Sequence, residues 1–288
     1  MRLGTCIPFD DSARINGKFD MDKALELLRE GGIRGCLHNF VSDESQWQSA
    51  AKEFEKSLRA ANMTLLEYNA PFFIYTPARE DCPATAEKIV RLLAIAESIG
   101  CLNFSTCVAG PKSISPHPWN RSRECKDTLL RTCALVAEGA ARQGLRARLL
   151  LEPVYTTIIR TPLELREVID EIGSPNVQAH MDMVNMLSFD NIFDHADFMR
   201  DAFQTLGGCI HSAHVKDAVP MDSYLPGIRE LPAGDGIVNL KTYLECLARQ
   251  DPDFPVLVEH LKEMADIERC YKHVAGIARE LGIDIWSN

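Results

Sequence analysis

Short apolar runs alternate along the chain with longer stretches in which apolar residues recur every three or four positions. The short runs read as buried strands and the longer stretches as amphipathic helices. Strands are expected at residues 2–9, 33–38, 63–68, 101–108, 145–153, 177–182, 210–216 and 255–259. Helices are expected at 21–30, 44–61, 85–99, 124–143, 162–172, 191–206, 240–249 and 265–281. Glycines punctuate the pattern: Gly31-Gly32, Gly100, Gly144 and Gly207-Gly208 each follow a helical stretch, where a C-cap is wanted. Pro162 opens a helix, the position where its missing N–H costs nothing. Residues 109–121 and 217–236 are rich in Pro, Gly and polar side chains and read as long loops.

Strands alternating with helices imply βαβ units and a parallel sheet. Eight such units without a linker predict one closed α/β domain, a (β/α)8 TIM barrel over residues 1–288, with its site at the C-terminal ends of the strands. An open doubly wound sheet is the alternative, but it would normally carry a G-x-G-x-x-G turn after an early strand, and none is present.

Composition narrows the partners. The net charge of −10 argues against a general nucleic-acid surface and against anionic membranes, and it permits an anionic small substrate only through a local cation. No apolar run is long enough to span a bilayer, and no signal-like segment precedes the first strand. The ten cysteines form no Cys-x-x-Cys pair and sit mostly in apolar segments, which suggests reduced core thiols and a cytoplasmic protein. A small-molecule partner is expected, and a homo-oligomer is compatible with the sequence.

The chemistry lies at the strand ends. The stretch from Cys209 to Asp217 is apolar but directs Ser212, His214 and Lys216 to one face. A parallel strand buried on both faces has no packing reason for an imidazole and an ammonium. The fifth, sixth and eighth strands end in Glu152, Asp182 and Glu259. Any one of these four end residues alone reads as a loop cap or a satisfied core histidine. Together, on consecutive strands about 4.8 Å apart, Glu152, Asp182, His214 and Glu259 can meet over one ion. Three carboxylates and an imidazole suit a divalent cation, Mn²⁺ first, with Co²⁺, Mg²⁺ or Zn²⁺ as alternatives.

Five motifs, Leu151 to Pro153, His180 to Asn185, His214 to Asp217, Gly234 to Asn239 and Val258 to Leu261, resemble those of the xylose-isomerase-like or sugar phosphate isomerase/epimerase barrels. That family also includes ketose 3-epimerases and endonuclease IV. The resemblance implies one divalent metal on Glu152, Asp182, His214 and Glu259, with both glutamates exchanging protons with substrate carbon. Ketose 3-epimerases grip substrate hydroxyls through a His and an Arg, where this chain has Asn185 and Pro220. Endonuclease IV resembles it less, because that enzyme needs more histidines at strand ends and a surface for DNA.

The reaction expected is isomerisation or epimerisation of a sugar, keto sugar or derivative through a metal-stabilised enediolate. One glutamate removes a proton and an acid on the other face returns it. A lyase or dehydratase using the same abstraction is the alternative, and a non-catalytic sugar or metal binder is the third reading. Candidate substrate-binding residues are Lys216, Asn185, His180, His38, Glu67 and Arg229. Each has a plainer reading: a solvated charge for Lys216 and Arg229, a core hydrogen bond for His180. His117 and Trp119 are candidates for a lid, and His260 is expected to face away from Glu259.

Overall fold

The computed structural model describes residues 1–225 and 227–285, so Pro226 in the loop after the seventh strand lies outside them. Eight parallel strands close a barrel: β1 (Arg2–Thr5), β2 (Gly35–Asn39), β3 (Thr64–Asn69), β4 (Asn103–Cys107), β5 (Arg148–Glu152), β6 (Val177–Asp182), β7 (Ile210–Val215) and β8 (Pro255–Val258). Each strand pairs with the next, and β8 returns to β1 in register from Arg2 opposite Pro255 to Thr5 opposite Val258. The helices are α1 (Met21–Glu30), α2 (Trp47–Ala61), α3 (Cys82–Ser98), α4 (Arg123–Arg142), α5 (Pro162–Ile172), α6 (His195–Leu206), α7 (Leu240–Leu247) and α8 (Met264–Glu280). The expected (β/α)8 barrel is what forms.

Local chemistry explains the boundaries. The Asp20 carboxylate accepts from the Lys23 amide to start α1, and Thr161 does the same for α5 ahead of Pro162. Helix α6 begins at His195, later than the periodicity predicts, because the Asn191 side chain accepts from the Ser188 amide and holds a turn there.

The strands bury one face against the helices, in the large apolar core that includes Leu3, Phe104, Leu149, Val177, Ala213 and Val256. The other face fills the barrel. There only Leu37, Leu66 and Leu257 form an apolar plug among the described residues. A Cβ on Gly35 would stand 2.4 Å from Leu66 Cδ1, so glycine at that position lets Leu66 close the barrel floor. Beyond the plug the barrel encloses the buried polar residues Glu67, Ser105, His180, Ser212 and His214.

Two bulges set the phase of that polar face. Cys36 faces Leu65 and Leu37 faces Glu67, so Leu66 is an extra residue in β3, and Glu67 turns inward along with it. In β7, Ile210 pairs with Ala179 but Ser212 pairs with His180, so His211 is extra and Ser212 and His214 point into the barrel.

Both expected loops contain structure. Residues 217–236 include an antiparallel pair, Asp217–Pro220 with Ile228–Leu231. Residues 109–121 include a short extended piece, Pro111–Ile114, and a 3₁₀ turn, Pro118–Arg121. A small hairpin after β1 pairs Arg14 with Phe19 across Asn16-Gly17, an Asn-Gly turn with both residues at positive φ. No described helix is long and apolar enough to cross a membrane.

Candidate metal centre and active site

The ends of β5 to β8 converge. One ligand atom from each of Glu152, Asp182, His214 and Glu259 lies within 4.8 Å of the others, and all four side chains are close to fully buried. His214 Nδ1 is 3.0 Å from Glu259 Oε2, 3.6 Å from Glu152 Oε1 and 3.8 Å from Asp182 Oδ2.

These donors are short of cations. Asp182 Oδ2 and His214 Nδ1 are buried and make no hydrogen bond of good geometry, although Lys216 Nζ stands 2.9 Å from Asp182 Oδ2. Burial, reinforced by the charges of Glu259 and Glu152, pushes Asp182 up to about 6 despite Lys216. Burial opposes the charge on His214 too, but Glu259 and Glu67 outweigh it and hold the imidazole well above its ordinary value. Burial likewise opposes ionisation of Glu259, which His214 and Lys216 nevertheless keep well below the usual carboxylate range. A divalent cation would relieve this excess of negative charge, and three carboxylates with one imidazole are a donor set suited to Mg²⁺ or Mn²⁺. The Cys107 thiol donates to Glu152 Oε2 at 3.4 Å and is raised well above its ordinary value by burial, and no thiol joins the cluster among the described residues, unlike most structural zinc sites.

A second polar layer lies beneath. Glu67 is fully buried and each of its oxygens accepts twice: Oε1 from Ser105 Oγ at 2.8 Å and His214 Nε2 at 3.0 Å, Oε2 from His180 Nε2 at 3.1 Å and from Ser212 Oγ. Because Nε2 of His214 points down to Glu67, Nδ1 points up to the carboxylates. The expectation that Glu67 and His180 contact substrate is thereby corrected. Both are sealed under the ligands, since each is 0 % exposed. The Tyr243 hydroxyl of α7 shares its one proton between the carbonyls of Met181 and His214, at 3.1 and 3.0 Å, tying the ends of β6 and β7 together.

Above the ligands, Lys216 Nζ meets Asp182 Oδ2 and Glu259 Oε1, both at 2.9 Å, and Glu230 Oε2 at 3.0 Å. Asn185 is also bound to the cluster. Its Nδ2 donates to Glu152 Oε1 at 2.7 Å and its amide to Asp182 Oδ1 at 3.1 Å. Asn185 therefore orients two ligands.

His260 does not face away, as strand alternation predicts. Its φ of 59° lies in the left-handed region, rare for a side chain other than glycine, and it swings the ring back over the site. There Nδ1 bonds Glu230 and Nε2 lies 3.5 Å from Glu259 Oε1. His260 and Glu259 share a wall of a cavity of about 490 Å³, with Asn39, Asn69, Cys6 and Phe9 among the other lining residues. That volume is in the range of about 300–1,000 Å³ typical of small-molecule sites.

The remaining candidates are spread out. His38 touches the same cavity, but its ring packs on Phe54 of α2 and on Tyr68, at 4.3 and 5.7 Å between centroids, and burial pushes it down to about 4. Arg229 is exposed, and its neighbour Glu230 is the hairpin residue that reaches the cluster. His117 caps a turn through the Trp119 amide, and Trp119 packs edge-on against Tyr75 at 5.0 Å, so the pair builds a rim turn. Ser212 shares the face of His214 that alternation marks, but Glu230, Ser105 and Tyr243 carry no sequence signal of their own: a glutamate in a polar loop and a tyrosine on an apolar helix face look like surface and core.

A closed barrel with acidic and imidazole side chains gathered at its strand ends defines the class. The family model for the xylose isomerase-like TIM barrel matches residues 17–281, and the chain belongs to that family. No curated protein matches by sequence. Solved structures share the fold at low identity. A D-tagatose 3-epimerase-like protein superposes with a TM-score of 0.72 at 18% identity over 98% of both chains. The 3-keto-D-glucoside 4-epimerase of E. coli gives 0.67 at 17%, over 97% of this chain and 99% of that one. A probable 3-DHS dehydratase from Bacillus anthracis gives 0.68 at 15%, over 96% and 99%.

Proposed function

We propose that the protein is a divalent-metal-dependent isomerase or epimerase of a sugar, keto sugar or sugar derivative, with Mn²⁺ the first choice of ion. The observation that carries this reading is the meeting of Glu152 and Glu259, from strands three places apart in the barrel, at one point with Asp182 and His214. When bound, the ion would supply Lewis acidity toward a substrate oxygen. Glu152, Asp182, His214 and Glu259 would hold it.

The chain's own groups then handle the proton. Glu152 has Oε1 bound by Asn185 Nδ2 and Oε2 bound by the weakly donating Cys107 thiol at 3.4 Å, so Oε2 is the oxygen more readily given to a proton from carbon. Glu259 reaches the same point from the other side and supplies the second exchange that inversion requires. His260, Asn39 and Asn69 offer hydrogen bonds to hydroxyls in the adjoining cavity. Asn185 stands where a ketose 3-epimerase would place a substrate-gripping histidine, and here it is committed to Glu152, which favours a different sugar.

One observation favours a second reading. Lys216 occupies Glu259 Oε1, which leaves Glu152 the less encumbered base, and a single base suffices for elimination. A lyase would therefore use the same site.

The test is turnover of a panel of keto sugars by the Mn²⁺-loaded protein in D₂O. Deuterium should appear at the reacting carbon, and Glu152→Gln and Glu259→Gln should each lower kcat by about 10²-fold or more. Conversion without exchange would mean hydride transfer and would overturn the reading. A growing enone absorbance, with Glu259→Gln still active, would select the lyase.

A further inference from the structure

Lys216 is the feature of the site that the proposed reaction leaves unexplained. It is buried, and the three N–H donors of its ammonium face three carboxylate oxygens: Asp182 Oδ2, Glu259 Oε1 and Glu230 Oε2, at 2.9, 2.9 and 3.0 Å. His260 Nδ1 is the next polar atom, at 3.5 Å. The contact with Glu259 is a hydrogen bond, and those with Asp182 and Glu230 are ion pairs.

The oxygens it holds are informative. Glu259 presents Oε2 toward His214 Nδ1 at 3.0 Å and gives Oε1 to Lys216. Glu152 gives Oε1 to Asn185 Nδ2, and Asp182 gives Oδ1 to the Asn185 amide. Lys216 thus stands on one oxygen of Glu259 and on one of Asp182, and an ion chelated through both oxygens of either carboxylate would have to displace the ammonium. The Asn185 and Cys107 contacts are with neutral donors, whereas an ammonium also repels a cation.

Small and large divalent ions respond differently to this. Mg²⁺ demands near-octahedral geometry with single oxygens, whereas Ca²⁺ takes six to eight ligands and gains much of its number from bidentate carboxylates. We infer that Lys216 is a positioning residue that restricts Glu259 to one ligand oxygen and thereby selects small six-coordinate ions against Ca²⁺. The inference rests on the proposed metal site and concerns its selectivity, not its existence.

Calorimetric titration with Mg²⁺, Mn²⁺ and Ca²⁺ chlorides, after treatment with chelator, tests it without reference to turnover. Wild type should bind Mg²⁺ or Mn²⁺ at least about tenfold more tightly than Ca²⁺. Lys216→Met keeps the length and removes the ammonium, so Ca²⁺ affinity should rise by about tenfold relative to Mg²⁺, within the range that groups behind a ligand exert. Glu230→Gln, which leaves the lysine on Glu259, should keep the wild-type ratio. An unchanged ratio in Lys216→Met, or an equal change in Glu230→Gln, would overturn the assignment. Should Lys216→Met not fold, Lys216→Gln replaces it with the same expected rise, and an unchanged ratio there rejects the role, as does equal affinity of wild type for Ca²⁺ and Mn²⁺. If wild type binds none of the three ions, the metal reading itself fails, a result distinguishable from unselective binding.

Discussion

Glu67 shows how much one buried residue can carry. Its carboxylate receives His180, His214, Ser105 and Ser212, and burial, which opposes its charge, is outweighed by the two histidines, so it stays ionised well below the usual range. Its bond to Nε2 selects the His214 tautomer whose Nδ1 is free for a cation. Glu67→Gln keeps the shape but loses the charge and one acceptor oxygen, so Mn²⁺ affinity should fall by about 10–100-fold, measured by titration with the fold intact by circular dichroism. His260→Ala should separate differently. The ring sits beside the ligand Glu259 on the cavity wall, so KM should rise while one Mn²⁺ per chain is retained in metal analysis. Loss of the ion in His260→Ala would show that the ring supports the metal instead of the substrate.

At the scale of elements, the hairpin after β7 is organised by Asp217, the last residue of the His-Val-Lys-Asp motif. Its Oδ1 accepts from the amides of Ala218 and Val238 at 2.8 and 2.9 Å, and Oδ2 from Gly234 at 3.1 Å. The Gly-Asp-Gly-Ile-Val-Asn motif is the other half of the same device. A Cβ on Gly236 would lie 2.3 Å from Asp217 Oδ1 and 2.5 Å from the Ala218 carbonyl oxygen, and Asn239 caps α7 through the Thr242 amide. Gly236→Ala must displace backbone and the buried carboxylate together. It should cost about 1–3 kcal/mol in denaturant unfolding, the usual range for overpacking. Because the hairpin carries Glu230 to Lys216 and His260, the same variant should weaken substrate binding more than metal binding. Two motifs far apart in sequence are thus legible as motifs, while their contact is visible only once the loop folds.

For the whole molecule, closing the barrel brings four strand ends to one point and leaves buried carboxylates facing one another. A cation that binds the folded chain and not the unfolded one stabilises it by about 2.7 kcal/mol at a free concentration 100 times its Kd. Mn²⁺ should therefore raise Tm in a concentration-dependent way in wild type, and Asp182→Asn should abolish the shift. A Tm indifferent to Mn²⁺ in wild type would remove the ion from the site. Hydrophobic periodicity by itself determined the eight strand–helix units, because a strand between helices must be apolar throughout and a helix on the outside must be apolar on one stripe only. It also exposed Glu152, Asp182, His214 and Glu259, because a charge closing an apolar run interrupts that pattern. What alternation could not determine was the facing of residues beyond an irregularity. The bulge at Leu66 turned Glu67 under the candidate metal ligands, and the positive φ of His260 turned its ring onto the cavity wall. Nor could the sequence pair Lys216 with Glu230, since that contact depends on a hairpin folding back across the barrel mouth. Facing and partnership at these positions are set by long-range pairing, which the order of residues along one strand does not encode.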